Sequence, residues 1–453
     1  MSDISADAPA RPDDRTTSGY SYYVLGVLTL VYTFNFIDRQ IIAILSPAIQ
    51  EDLGLSDSMM GLLKGLAFAM LYTVMGIPIA WLADRWNRVS IVSASLAVWS
   101  GFTALSGFAA NAAQLTLARI GVGIGEAGCS PPAHALISDY FPKERRASAL
   151  SIYSLGIPFG QMFAFLAGGW VLQTFGWRNA FFIVGAPGVV LAIVMKLTVR
   201  EPKRGALDGP APATGVPAGA GPGALAPPPP PVSYAEGLKR LLSIPTYWGV
   251  TIGVTLASFT AYGIGLWVVD FYRRTYGLSY VEITTPLAFL NGAAYGLGAY
   301  LGGRIADRCA RKDKGAYAWL PGAAMLVTIP AGVLNIWAPT PFWAFFWAAP
   351  FLLMIGFYLG PSFSLVQTLA PVRLRAMATA FFFLVLNLVA LGFGPLWVGA
   401  LSDFFAASHG DVTGLRIALT TLSIFSLASA LVFFWTAKKV PADWEKATGE
   451  AAA

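Results

Sequence analysis

Twelve apolar stretches partition this chain, at residues 20–47, 57–83, 89–110, 112–140, 146–174, 179–199, 246–272, 281–306, 316–338, 341–369, 374–404 and 413–437. A helix needs ~20 residues to cross the hydrocarbon core of a bilayer. Backbone polar groups there must pair within the segment, which selects helices. Only 12% of residues are charged, half the roughly 25% of soluble domains. The chain is therefore expected to be all-α, a polytopic membrane protein with twelve transmembrane helices in two six-helix bundles. Residues 1–19 read as a polar tail, 20–200 as the first bundle and 241–437 as the second. Between them, 201–240 carries five consecutive prolines at 227–231, a composition that builds no core and makes a linker. Residues 438–453 read as a second tail.

The loops carry the orientation. One side collects Arg85, Arg88, Lys143, Arg145, Arg146, Arg200, Lys203, Arg204, Lys239, Arg240, Arg304, Arg308, Arg311, Lys312, Lys314, Arg373 and Arg375, with basic residues of both termini. The other has Arg178, Arg273, Arg274 and Arg416. The excess of Lys and Arg marks the cytoplasmic side, so both termini are expected there. The net charge of +6 then follows from membrane topology, and no nucleic-acid partner is implied. The first nineteen residues lack the pattern of a cleaved signal. Two cysteines and two histidines suggest neither a disulfide framework nor a metal cluster, and no cofactor or catalytic residue is predicted. The string Gly123-Ile-Gly-Glu-Ala-Gly128 has the dinucleotide spacing but lies in a membrane-length helix rather than after a strand, so nucleotide binding is rejected. No phosphate-loop motif appears either.

The halves repeat. Pro132, Pro142, Arg146 and Ala147 recur as Pro361, Pro371, Arg375 and Ala376, each 229 positions on, and Leu82-Ala83-Asp84-Arg85 has a counterpart in Ile305-Ala306-Asp307-Arg308. Two related bundles with a site between them near mid-membrane are the pattern of a rocking carrier.

Charges inside the apolar segments mark the candidate site. Helix four carries Arg119 and Glu126, seven residues apart and so on one face, among glycines 121, 123, 125 and 128 that invite close helix approach. Helix one carries Asp38 and Arg39. Charges at membrane depth face a protein interior, a partner or a water-filled path. With helix one ending near residue 47, Asp38 lies ~12 Å below the outer end, Arg119 ~9 Å and Glu126 ~20 Å. Asp38 is thus expected to pair with Arg119, Glu126 being a deeper alternative. Arg39 points about 100° away from Asp38, toward a neighbouring helix or the cavity edge. These four are expected to form a protonation-linked network in which a freed Arg119 holds an anion. The alternative is a static pair fixing helix one to helix four. Lys64 and Lys196 are expected to snorkel from helix ends, Asp139 to pair with Arg145 or Arg85, and His134 to be a hydrogen-bonded core residue.

The loop Ala80-Trp-Leu-Ala-Asp84-Arg85-Trp-Asn-Arg88 resembles the signature of the major facilitator superfamily, with Ala80 and Asn87 where glycine is usual. The resemblance implies that Asp84, Arg85 and Arg88, with Asp307 and Arg308 of the second copy, latch the two halves in the outward-facing state. Asn35-Phe-Ile-Asp38-Arg39 and Arg119-Ile-Gly-Val-Gly-Ile-Gly-Glu126-Ala further resemble the Spinster family of lysolipid and sphingolipid transporters. This implies a multi-pass monomer of the bacterial inner (cytoplasmic) membrane, driven by protons and moving a lipid-like or hydrophobic anion in contact with membrane lipids. The second half offers Tyr262, Asn291, Tyr295, Tyr358 and Asn387 as a cavity wall with no charge near mid-depth, which suits an amphiphile. A small organic acid or a drug is the alternative cargo.

Overall fold

The computed structural model describes residues 19–83, 85–204, 239, 241–370 and 374–448. Among them every regular element is a helix. The first half holds α1 (Gly19–Leu53), α2 (Asp57–Lys64), α3 (Leu66–Ala83), α4 (Arg88–Ser106), α5 (Ala112–Glu126), α6 (Ser130–Tyr140), α7 (Lys143–Ser154) and α8 (Gly156–Thr198). The second holds α9 (Pro245–Tyr276), α10 (Tyr280–Leu290), α11 (Gly296–Cys309), α12 (Ala316–Ile336), α13 (Pro341–Phe357), α14 (Leu359–Leu369), α15 (Arg375–Val385), α16 (Gly392–His409), α17 (Asp411–Ala437) and α18 (Val440–Thr448). Two π-helical turns, Asn291–Tyr295 and Leu386–Leu391, join α10 to α11 and α15 to α16.

Nine described helical segments are long and apolar enough to cross a bilayer. One of them, Ser148–Thr198, contains two of the expected crossings and turns at Gly176, whose φ of 77° suits a residue without a side chain. The stretches at 112–140 and 281–306 fall outside the nine; the first is broken after Glu126, and the second contains a π turn. Each of the twelve expected stretches nevertheless falls mainly on helix.

The two halves meet chiefly at the end remote from the chain termini, called here the far end. There α2 packs on α16, α1 on α9 and α8 on α10. Close approach is written in glycines: a Cβ on Gly61 would lie 2.6 Å from the Pro395 carbonyl oxygen, and one on Gly65 would lie 2.5 Å from that of Gly392. At the terminal end α6, α7, α11, α14 and α15 pack within their own halves. Among the described residues the molecule is shut at the far end and parted at the other.

Most of the expected linker and the N-terminal tail lie outside the described residues, but the linker's first residues are anchored. Glu201 accepts from Arg88 Nε (2.8 Å) and the Val89 N–H, and Arg204 donates to the carbonyls of Ala83 and Trp86. The C-terminal stretch read as a tail contains α18. Asp443 accepts from the Thr246 N–H and hydroxyl, and Trp444 stacks on Tyr317. This stretch braces the second half.

Candidate functional site

Four ionisable side chains lie together inside the first half, paired differently from the expectation. Arg39 Nε donates to Glu126 Oε2 at 2.7 Å. Among the described residues Asp38 forms no ion pair with Arg119, and its polar neighbours are Trp99 and Thr103. The reason is helix length. Helix α1 runs to Leu53, six residues past the expected end. Fourteen residues separate Arg39 from Leu53, and fourteen separate Ala112 from Glu126. Both charges therefore lie ~21 Å from the far ends of their helices, while Arg119 is only ~10 Å down. Arg39 is level with Glu126, whereas Asp38, ~22.5 Å down, lies ~12 Å deeper than Arg119. Helix α5 also ends at Glu126, which places the carboxylate at a break in the span.

Local packing fixes this geometry. A Cβ on Gly123 would lie 2.5 Å from the Phe68 carbonyl oxygen, and one on Gly125 would lie 2.6 Å from the Trp99 nitrogen. Glycine at these positions lets α3 and α4 close on α5 from two sides. The approach brings in Phe68, whose ring has the guanidinium carbons of Arg39 and Arg119 at 5.4 and 5.3 Å from its centre. Arg39 is further bracketed by Phe36 (5.2 Å) and Tyr72 (4.8 Å), cation–π contacts that hold a charge in place where water is scarce.

Exposure separates the roles of the two arginines. The Arg39 side chain keeps 19% of its surface, whereas Glu126 keeps none. Arg119 is 2% exposed and Asp38 fully buried. Around Asp38 lie the buried Trp99 indole N–H and the hydroxyls of Ser100 and Thr103, and the buried Asn35 amide lies beside Glu126.

The expected wall of the second half is partly assembled. Tyr262 packs against all three apolar cores of the molecule, and the Tyr358 hydroxyl hydrogen-bonds Ser258 at 2.9 Å. Tyr295 and Asn291 share a π turn, where Asn291 donates to the Leu287 carbonyl, and Asn387 lies in the other π turn. Such turns widen a helix and are frequent at functional sites.

Of the proposed latch, Asp84 lies outside the described residues. Arg85 donates to the Trp81 carbonyl and lies 3.9 Å over its ring. Arg88 pairs with Asp139 (2.7 Å) and Glu201. Asp307 accepts from Tyr317, and Arg308 is exposed. These bonds all stay within one half, as the parted terminal end requires. His134 is exposed with its ring edge-on to Tyr153, so it is not a core residue. Lys196 is exposed and reaches Ser90.

Lys64 overturns its expectation. It does not snorkel: its Nζ lies 2.7 Å from Asp270 Oδ2, and both side chains have no exposure. Asp270 also accepts from Ser46 (2.8 Å). Just outside, Arg274 grips Asp57 with both terminal nitrogens (2.6 and 2.7 Å) and Gln50 at 2.8 Å. Ser402 donates to Asp57 (2.5 Å), and Asp403 caps the start of α2 by accepting from the Asp57 and Ser58 N–H groups. Residues of α1 and α2 are thereby bonded to residues of α9 and α16, across the two halves. Sequence reasoning missed Asp270 because helix seven was ended near residue 272. The spacing of Asp270 and Arg274, one helical turn inside an apolar run, was the available signal.

Two helical bundles sealed at one membrane face and parted at the other, with ionisable residues buried between, form a secondary carrier. The chain belongs to the Major Facilitator Superfamily, whose family description matches residues 28–395. It is 34% identical over 421 residues to an MFS-type efflux pump of Mycolicibacterium smegmatis, covering 93% of this chain and 94% of the pump. A "Probable galactarate/D-glucarate transporter" of Bacillus subtilis is 32% identical over 203 residues, 44% of each chain. A crystal structure of a bacterial homolog of the human lysosomal transporter Spinster, inward-facing and unoccupied, superposes with a TM-score of 0.83 at 30% identity. That match covers 94% of this chain and 98% of the other. The Spinster likeness read from helices one and four is borne out. The protein is a multi-pass membrane transporter of this superfamily.

Proposed function

We propose that this transporter is proton-coupled and moves an amphiphilic, lipid-like anion by alternating access. The observation that carries the reading is the Arg39–Glu126 pair, partly open on the arginine side and closed on the glutamate side. A carboxylate needs its counter-charge to stay ionised out of water. When an anionic group takes Arg39, Glu126 loses that counter-charge and takes up a proton. When the anion leaves, the pair re-forms and the proton is released. Arg39 thus replaces Arg119 as the group that holds the substrate head. Arg119 lies behind Phe68 and supports the local potential, and Asp38 is a second proton acceptor among buried polar groups. The half-buried Phe36 and Tyr72, with Tyr262 and Tyr295 of the second half, supply the aromatic surface an alkyl chain prefers.

With the basic loops cytoplasmic, the structure corresponds to the inward-facing state, the conformation named for the Spinster homolog. The proposed orientation has both termini in the cytoplasm and the chain in a bacterial inner membrane. A sugar acid is the second reading. It is favoured by the galactarate/D-glucarate relative and by the tyrosine hydroxyls of the second half, which suit a polyhydroxylated anion.

The test is uptake into proteoliposomes under an imposed pH gradient, comparing a lysophospholipid with glucarate. Gradient-driven movement of the lysolipid alone supports the proposal. Gradient-driven movement of glucarate alone supports the second reading, and movement of either without response to the gradient removes proton coupling.

A further inference from the structure

The far-end seal treats its two halves unequally. Lys64 and Asp57 belong to the first half, Asp270 and Arg274 to the second. When the far end opens, Asp270 retains Arg274, one turn along its own helix and already 3.9 Å away. Lys64 has no such substitute. Its hydrogen-bond partner Asp270 and the Trp267 ring 3.5 Å from its Nζ both leave with the second half. Asp57, the acid of its own helix, is seven residues away, ~10.5 Å along the axis, and stays with Gln50 at the rim. Opening therefore uncovers one unpaired ammonium on the wall of the first half. It stands four residues before Phe68, the ring that Arg39 and Arg119 both face, and so about one turn nearer the far mouth.

We propose that Lys64 is a second anion-binding residue, used only while the far end is open, where the anionic group of the substrate takes the place of Asp270. Closure returns Asp270 to Lys64 and displaces the anion, so an internal carboxylate competes with the cargo at this station. The ligand class is a carboxylate or phosphate monoanion. The inference rests on the anion reading of the central site. The other charged and titratable groups around the pair are Arg274, Asp57 and, from the start of α10, Tyr280.

The test uses the full chain in nanodiscs, with dodecyl phosphate as probe and spin labels at Thr174 and Ser408, one on each half at the far end. Bound probe is measured separately by equilibrium dialysis. In the parent protein the probe should lengthen the label distance. D270N should lengthen it without probe and bind the probe about tenfold more tightly, because a charged donor is freed. K64Q should still bind probe at Arg39 but show no probe-dependent lengthening, and K64R should restore that lengthening. The double variant K64M/D270L, which exchanges a buried ion pair for apolar packing, should stay short with or without probe. A K64Q protein whose distance responds to probe like the parent would overturn the proposal, as would a D270N protein that stays short. Failure of the parent to bind probe at all, with D270N still opening, would instead sink the anion reading and this inference with it, leaving only a latch.

Discussion

The two buried charge clusters use the same residue types and are finished differently. At the far end, Lys64, Asp270, Arg274 and Asp57 are bonded to one another, to Ser46, Gln50 and Ser402, and across the two halves. At mid-membrane, Asp38, Arg39, Arg119 and Glu126 all belong to one half, and their one ion pair is made within it. A satisfied network that spans two bodies holds them together. A network confined to one body, with one arginine partly exposed, leaves that arginine open to a ligand. The contrast distinguishes a lock from a binding site more sharply than charge or burial does, since both clusters are charged and buried.

Substitutions can break that contrast. The largest effect is expected for R39Q, which removes the only partly exposed cation of the central cluster. Substrate uptake should fall by at least about a hundredfold, as for other truncated buried charge partners, while detergent-solubilised protein elutes normally on size exclusion. A protein that transports at half the parent rate would return the anion role to Arg119. Next comes E126Q, which cannot release a proton. It should still exchange labelled substrate across vesicles without a gradient, but concentrative uptake under a pH gradient of either sign should vanish. At the far end, D57N leaves Arg274 and Gln50 partly unpaired. Breaking a buried pair costs about 3–5 kcal/mol, here reduced because Arg274 retains 22% side-chain exposure. Spin-label distances across the far end should broaden toward open states while probe binding at Arg39 is kept. The smallest effect belongs to Y358F, which removes one hydrogen bond to Ser258 worth about 1 kcal/mol. It should alter KM for an amphiphile less than twofold and leave gradient coupling intact.

Much of this architecture was legible from residue order. Segment length and the absence of charge predict membrane helices, and the proline-rich interval separates the halves. Glycines 123 and 125 predict the close packing of α5, which α3 and α4 confirm. Pairing was not legible, and the cause is specific. A six-residue error in the end of α1 shifts depth by ~9 Å, enough to exchange Arg119 for Glu126 as the side chain in register. The same kind of error at α9 hid Asp270 beneath an apparent helix end, so Lys64 lacked a visible partner and read as an interfacial lysine. Sequence periodicity locates the charges on their helices. Their partners depend on where each helix stops and which neighbour it lies against, and those are tertiary properties.

The central claim is that the Arg39–Glu126 pair is made and unmade during each cycle. It is tested most directly by lysolipid uptake into proteoliposomes under an imposed pH gradient, with the parent, E126Q and D38N proteins measured side by side. The account predicts gradient-driven accumulation in the parent and none in E126Q. Accumulation in E126Q and D38N that follows the gradient as it does in the parent would contradict it.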